Sequence, residues 1–467
     1  MYTYQDLQAV GDEDSKKMDF MTAVINNHKN SDDYETAKIA QEYIKKCNVT
    51  QRNYQKLLYT VSGIAVPDNY SANYKLCSNF FDRFVTQEVQ FLLGNGVSFA
   101  DASQKEKLGK DFDTKLQLLG KYALVDGVSF GYFNLDKVET FRLTEFAPLY
   151  NEETGALMAG VRFWQIDSGH PLRATLYEPD GYTEYIWREG RGEVYKPKLQ
   201  YKLKVRTSVI DGTEILGGEN YPSFPIIPMW GNLTKQSELI GIREQIDAYD
   251  LIKSGFCNTV DEASYVYWTI QNAGGMDDID LAKFVERMRT VKAAVIEDEG
   301  AKPESHTMEV PYASREALLD RIRNDLYDDF MALDTKQISS GAATATQIKA
   351  AYEPINNKAD QFEYCVREFL DGLFFVAGID TNVSFTRSLN VNTQELVSTL
   401  IQAATHLPDE YVTRKILELL GDGDKADEYI EDMIRDNLDR LGGIDIMGET
   451  GENDEVNGES GEVNGEG

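Results

Sequence analysis

The spacing of apolar residues changes period twice along this chain, and no other feature constrains its folding as much. Up to about residue 126 apolar side chains recur at three- and four-residue steps. From Gly127 to Pro228 they alternate with polar ones, and after Trp230 the three-to-four spacing returns. A period near 3.6 turns one face of a helix to a core, and a period of 2 does the same for a strand, so neither element satisfies the other's pattern. The expected fold class is therefore α+β, with an antiparallel β module at 127–228 inserted between helical parts.

In the first helical part, two polar helices are expected between Asp14 and about Cys47, broken near Asn30 and Ser31. Ser31 would be the N-cap of the second, with Asp32 and Asp33 complementing the dipole of its first turn. Pro67-Asp68-Asn69 marks a turn. A helix is expected from about Ser71 to Leu93, because Leu76, Phe80, Phe84, Val85, Val89 and Leu92 share one stripe, and Gly94-Asn95-Gly96 ends it. Another is expected from about Gln104 to Leu124. Within the β module, Phe130–Leu135, Thr140–Tyr150, Leu157–Ile166, Ala174–Tyr177, Thr183–Trp187 and Tyr201–Val205 read as strands. Asn151 to Gly155 and Pro179-Asp180-Gly181 read as hairpin turns.

Behind the module, Leu239, Ile242, Ile246, Tyr249, Phe256 and Val260 form one helical stripe. Tyr265–Ile270, Ala293–Ile296 and His306–Pro311 read as strands, and Asp277–Thr290 as a short helix. Ser314 is expected to cap a helix carrying Leu319, Ile322, Leu326 and Phe330 and stopping near Leu333. A small polar stretch, Asp334 to Thr344, separates it from the longest periodic run: Ile348, Tyr352, Ile355, Ala359, Phe362, Val366, Phe369 and Leu373. Pro354 lies inside that run and removes a backbone donor, at a cost of about 3 kcal/mol in a straight helix, so a kink or a late start is expected. Val383–Arg387 reads as a strand, and Thr393–Thr405, Asp409–Leu420 and Lys425–Leu441 as helices. From Leu441 onward the chain carries eight acidic and no basic residues among repeated Gly and Asn, a composition expected to stay disordered.

Composition narrows the function. The 467 residues, 42% of them apolar, allow two to four modules with real cores. There is no run of about 18 apolar residues, so no membrane span is expected. The polar start, Met1 to Phe20, lacks the apolar core of a secretory signal. Cys47, Cys77, Cys257 and Cys365 are scattered, which suits a reducing cytoplasm and gives no metal-ligand spacing. P-loop, HExxH and GxSxG patterns are missing, and His28, His170, His306 and His406 stand apart from one another. Acidic pairs such as Glu152-Glu153 and Asp277-Asp278 sit in turns or helix starts. The chain is therefore expected not to be an enzyme, with no cofactor and no metal. A formal net charge of -31 argues against tight phosphate binding. It reads first as solubility and second as a surface that passes close to a polyanion without holding it. Seven Lys or Arg against two Glu between Arg188 and Arg206 read as a solvated strand face or an intersubunit ion-pair surface ahead of a DNA contact.

Several stretches, in their order and spacing, resemble the portal proteins of long-tailed phages, of the type found in phages of Bacillus and related hosts. They are Ala72-Asn73-Tyr74-Lys75-Leu76, Asn79-Phe80-Phe81, Gln90 to Gly94, Pro228-Met229-Trp230-Gly231-Asn232, Ser237-Glu238-Leu239 and Gln245 to Asp250. Next comes Ser340-Gly341-Ala342-Ala343-Thr344-Ala345 ahead of a long helix with Asn357-Lys358-Ala359, Phe362 and Phe369, and last Phe385 to Asn392. The resemblance covers about Asn69 to Arg440. It departs where the family's small residue and Leu-Lys after Ser-Gly are here Ala343-Thr344-Ala345-Thr346.

What the resemblance implies is a portal fold: a mainly helical wing, stem and crown with the inserted β module and a small α/β clip. The wing would be 1–233, joined by the kinked helix and strand at 346–389. The stem would be 234–262 and 313–332, the clip 263–312, the tunnel loop 333–345 and the crown 390–440, with an acidic tail at 441–467. Copies would close into a homo-oligomeric ring, typically of twelve, at one capsid vertex of the virion, after assembly in the host cytoplasm. Double-stranded DNA would pass through it without sequence specificity during packaging and ejection. The clip would meet the large terminase packaging motor and later a head-completion adaptor. The wing would meet the major capsid and scaffolding proteins; no membrane is involved. Asp334, Thr335, Lys336, Gln337, Ser339, Ser340 and Gly341 would face the channel. Lys336, the cation of this stretch, would either touch phosphates transiently or pair with Asp334. The alternatives are another structural virion protein, capsid-associated or a tail adaptor, and a hydrolase with a β-rich substrate domain.

Overall fold

Side chains that satisfy orphan amides set the first helices of the computed structural model, which describes residues 1–59, 63–69, 71–188, 190–208, 212–263, 267–271, 302–306, 312–336, 345–387, 400–420 and 426–442, with a few isolated positions besides. Thr3 and Asp6 form a reciprocal capping box that starts α1 (Tyr4–Val10), a helix the apolar pattern is too short to announce. After α2 (Asp14–Lys29), the Ser31 hydroxyl accepts from the Tyr34 amide and starts α3 (Asp32–Ile44), as its sequence position suggested. A short α4 (Val49–Asn53) leads to a hairpin of β1 (Leu57–Tyr59) and β2 (Ala65–Pro67). Then come α5 (Phe80–Leu93), β3 (Val97–Phe99), α6 (Ala102–Glu106) and α7 (Phe112–Asp126). The single helix expected over 104–124 is thus two, because Gly109 takes φ +91°, a left-handed conformation that no helix interior accommodates.

The alternating region forms two antiparallel sheets. One is a meander with order β10-β9-β8-β7-β6: β6 (Phe146–Tyr150), β7 (Leu157–Trp164), β8 (Leu172–Glu178), β9 (Gly181–Arg188) and β10 (Arg191–Leu199). The other has order β13-β4-β5: β4 (Val128–Asn134), β5 (Lys137–Arg142) and β13 (Ile226–Trp230). A separate hairpin pairs β11 (Lys202–Ser208) with β12 (Gly212–Glu219). The strand expected over 140–150 therefore breaks into β5 and β6, which belong to different sheets. At the corner, Arg142 grips the buried Asp126 carboxylate with Nε at 2.8 Å and a terminal nitrogen at 2.7 Å, while Gln41 donates to the same carboxylate from α3. Strands β10, β12 and β13 escaped the alternation reading. The basic stretch 188–206 lies on β10 and β11, and much of it is matched within the chain: Arg188 to Glu193 at 3.0 Å, Lys196 to Glu184 at 2.9 Å, Lys198 to Glu178 at 3.1 Å, and Lys204 to Glu219.

Helices α1 and α2 cover one face of the five-stranded sheet, where Leu7, Phe20, Met21 and Ile25 meet Leu149, Val161, Phe163 and Leu176. The larger core lies between α3, α5, α7, the three-stranded sheet and the long helix at Ala345–Ala377. Close approach there depends on Gly131 of β4: a Cβ at this position would stand 2.6 Å from the ring of Phe369.

After β13 the backbone turns until α8 (Arg243–Ala263), so Leu239 and Ile242 of the expected helical stripe precede the helix. Strands β14 (Tyr267–Gln271) and β15 (Lys302–His306) pair antiparallel. Of the strand read at 306–311, His306 is the last residue of β15, and 307–311 lie outside the described residues. The helix and strand expected at 277–290 and 293–296 lie largely outside the described residues. Helix α9 (Tyr312–Phe330) already contains Ser314, which is therefore not its N-cap. Helix α10 (Ala345–Ala377) runs through Pro354 as one helix, so the late start is not observed. Strand β16 (Val383–Phe385) pairs with β3.

The expected helix over 71–79 is absent: α5 begins only at Phe80, and the preceding residues run extended along α8. The amides of Tyr74, Leu76 and Ser78 donate to the side chains of Asn258, Ser254 and Asp250, at 2.7, 3.0 and 2.9 Å. Two extended residues advance about 6.7 Å and four helical residues about 6.0 Å, so alternate amides of the strap match every fourth side chain of α8. On the other side of the same row, Gln51 donates to Ser254 at 2.7 Å, Thr50 to Asp247 at 2.7 Å, and Asn48 to Asp250.

The chain divides into Met1–Ser388 and Leu389–Gly467. In the second unit α11 (Asp409–Leu420) and α12 (Ala426–Gly442) match the expected helices, and Arg414 pairs with Asp427 at 2.7 Å. The helix expected at 393–405 is helical at 397 and 400–403, its other positions up to 399 lying outside the described residues. Residues 443–467 also lie outside them. No helix among the described residues is long and apolar enough to cross a membrane.

Candidate functional site

The polar segment 333–345 leaves one helix and enters another, and the structure fixes its two roots side by side. Helix α9 ends in two reverse bonds, Ala332 N–H to Tyr327 O at 2.9 Å and Met331 N–H to Asp328 O at 3.1 Å. This is a Schellman arrangement, and Met331 takes the left-handed position (φ +58°) that glycine usually fills. The next residue but one, Leu333, is held by a two-handed amide: Gln87 of α5 accepts from its N–H at 3.1 Å and donates to its carbonyl at 3.0 Å. Its side chain is buried with Phe91, Tyr352, Ile355 and Ala359, so the end of α9 and the start of α10 rest on one small apolar cluster.

Asp334 is the second anchor. Both terminal nitrogens of Arg323 donate to its carboxylate, at 2.9 and 2.8 Å, and the Lys336 amide donates to it at 3.1 Å. The Arg323 guanidinium lies 4.6 Å from the Tyr327 ring centre, which fixes its plane. Burial opposes the Asp334 charge, but Arg323 and the Lys336 amide prevail and hold its carboxyl below the usual range. Thr335 and Lys336 follow with exposed side chains. Gln337, Ser339, Ser340 and Gly341 lie outside the described residues. The Asp334 carboxylate thus takes both the Arg323 guanidinium and the Lys336 amide, and the Lys336 charge favours its ionised form as well.

Below the root lies a buried charge cluster. Lys358 of α10 reaches Glu238 at 2.8 Å, Glu88 of α5 at 3.4 Å and the Phe330 carbonyl at 3.1 Å, with its ammonium 3.2 Å from the Phe330 ring centre. Burial, and then the repulsion of Glu238 set against the attraction of Lys358, push the Glu88 carboxyl up to about 8. One ammonium therefore ties α5, the turn before α8, the end of α9 and α10.

Of the residues expected to line a channel, the structure brings Asp334, Thr335 and Lys336 to one anchored root. Pro354 sits on α10 one residue before Ile355 of the apolar cluster. Gln87, Glu88 and Arg323 were missed, while Glu238 and Lys358 stood in stretches that carried the resemblance but had no role assigned. The available signal was Glu88, a charge within the apolar stripe between Val85 and Leu92. Among the described residues the root brings together no nucleophile–base pair; it carries Asp334, Thr335 and Lys336 on the Gln87 and Arg323 anchors.

A family model described as phage portal protein, SPP1 Gp6-like, matches residues 23–437. A protein of Clostridium phage phiCD119 named portal protein is 24% identical over 379 residues, spanning 74% of this chain and 81% of its own. One of Bacillus phage SPP1, also named portal protein, is 22% identical over 382 residues, spanning 75% of this chain and 74% of its own. Among solved structures, a chain from the neck of an empty GTA particle computed with C6 symmetry aligns at a TM-score of 0.42 and 12% identity, over 73% of this chain and 90% of that one. A chain from the virion of a native gene transfer agent particle aligns at 0.38 and 12%, over 73% and 89%.

Proposed function

Since this chain belongs to the SPP1 Gp6-like phage portal protein family, we propose that it closes, in twelve copies, into the ring at one capsid vertex through which double-stranded DNA is packaged and ejected. One observation carries the reading: the family match runs from residue 23 to 437, from α2 into α12. In this proposal α8 and α9 form the stem, β14 and β15 belong to the clip that docks the terminase motor and later the head-completion adaptor, and the second unit forms the crown. The remaining helices and sheets form the wing, against capsid and scaffold. The anchored root presents the tunnel loop to DNA.

The physics supports a sliding channel. Each phosphate contact adds affinity, so a wall rich in fixed cations would hold DNA instead of passing it. A subunit of formal charge -31 supplies a largely repulsive wall. Against it, Lys336, carried on the hydrogen-bonded root, would repeat as one sparse ring of cations that steadies the duplex at its centre. Base readout has no part in this, so passage is independent of sequence.

Negative-stain imaging with mass measurement of the purified chain tests the reading. The expected particle is a hollow ring of about twelve chain masses with a bore wide enough for a duplex; a solid monomer under all conditions overturns it. In a reconstituted packaging assay, Lys336→Glu is expected to change packaging rate and DNA retention. If neither changes, the contact assigned to Lys336 is wrong.

A further inference from the structure

From Leu57 to Pro67, across β1 and β2, the sequence carries no charge, although 27% of all residues in the chain are charged. Leu57, Leu58, Ile64 and Val66 are 37% to 62% exposed, and β2 is exposed at each of its positions. A two-stranded hairpin is marginal alone, and a neutral strand pair rich in apolar residues invites association unless something covers it. The Asp68 amide bonds the Lys56 carbonyl at 2.9 Å and closes the root of this ribbon.

Beside that root lies a groove of about 470 Å³ between α4, the strap and α8, where Tyr54, Tyr74, Leu251 and Ile252 stand among polar side chains such as Asn73 and Thr259. Its one charged lining residue, Lys56, stands 4.0 Å from the Asp68 carboxylate, so the hollow is close to neutral as well. A chain of net charge -31 therefore offers two surfaces of opposite shape with little net charge, an apolar ridge and a mixed hollow. Copies that approach through acidic surface repel one another; ridge and hollow meet without that cost. Two different complementary patches on one chain make a head-to-tail contact, the kind that closes rings.

We propose that the β1–β2 hairpin of one copy docks into the α4–α8 groove of the next, and that this contact is one of those that close the ring. The inference rests on the ring reading above and adds which surfaces meet. Leu58 and Val66 are exposed and Ile252 is half-buried, so the test uses the full chain: Leu58→Glu with Val66→Glu as the ridge variant, and Ile252→Glu as the groove variant, each checked for an unchanged circular dichroism spectrum.

By mass photometry the wild type is expected as rings, and each variant alone as monomers at concentrations where the wild type is fully assembled. Mixed one to one, the variants retain one intact ridge and one intact groove between them, and a dimer of twice the 52.7 kDa chain mass is expected. Variants that still form rings overturn the docking, as does a mixture that stays monomeric. Rings that form normally but no longer hold another virion protein would assign the hairpin to that protein and overturn it too. A wild type that never assembles would instead sink the ring reading beneath it.

Discussion

Arg323 and Asp334 fix the first residues of the polar segment through two parallel hydrogen bonds, with little of either side chain exposed. Asp334→Asn leaves the guanidinium without its anion, and a loss of about 1–3 kcal/mol is expected by denaturant titration, with faster amide exchange at Lys336. The folded carboxyl titrates below its ordinary 3.8, so the pair contributes fully above that value and is lost as pH falls beneath it. Glu88 has the opposite sign. Its folded pKa is raised from 4.5 to about 8, so between these values the folded state binds more protons than the unfolded one, and stability falls as pH rises through that window. Glu88→Gln removes the titration while Glu238 still holds Lys358. The melting temperature is expected to change little at pH 5 and to rise at pH 8, by the equivalent of about 1 kcal/mol or more. Equal shifts at both pH values would show that Glu88 is charged throughout.

At the scale of elements, the strap and α8 are joined through Ser254, whose hydroxyl accepts both the Leu76 amide and the Gln51 amide group. Ser254→Ala orphans one buried and one half-buried donor and is expected to cost about 1–3 kcal/mol. Hydrogen exchange should rise at Leu76 and stay low in the centre of α5. Gly131→Ala drives a Cβ into Phe369, and overpacking of this kind costs about 1–3 kcal/mol, visible as a lower denaturation midpoint. The change of period was legible, and with it α2, α3, the end of α5, five of the β-module strands, α10 and the last two helices. The strap was not, because Leu76 falls on the helical stripe of Phe80 and Phe84 and only acceptors some 170 residues away make an extended backbone the better solution. Likewise Asp334 and Lys336 were found through resemblance. Their anchors Gln87 and Arg323 are ordinary surface-type residues in sequence, and only folding brings Gln87 across 246 positions to Leu333.

For the whole molecule, the net charge of -31 opposes assembly of identical copies. Added salt shortens the Debye length from about 10 Å at 0.1 M to about 3 Å at 1 M. Raising sodium chloride over that range is expected to lower the concentration at which the proposed rings replace monomers; an assembly midpoint that rises with salt would mean that ion pairs, not neutral surfaces, dominate the contacts. The row of bonds between strap and α8 has a further effect. Its two sides are graduated unequally, like the scales of a vernier, at about 6.7 and 6.0 Å per mark. They coincide for three marks, and a fourth would be displaced by about 2 Å, more than a hydrogen bond tolerates. The splint therefore stops at Asn258, and any flexing of α8 should be concentrated in the single turn that follows it.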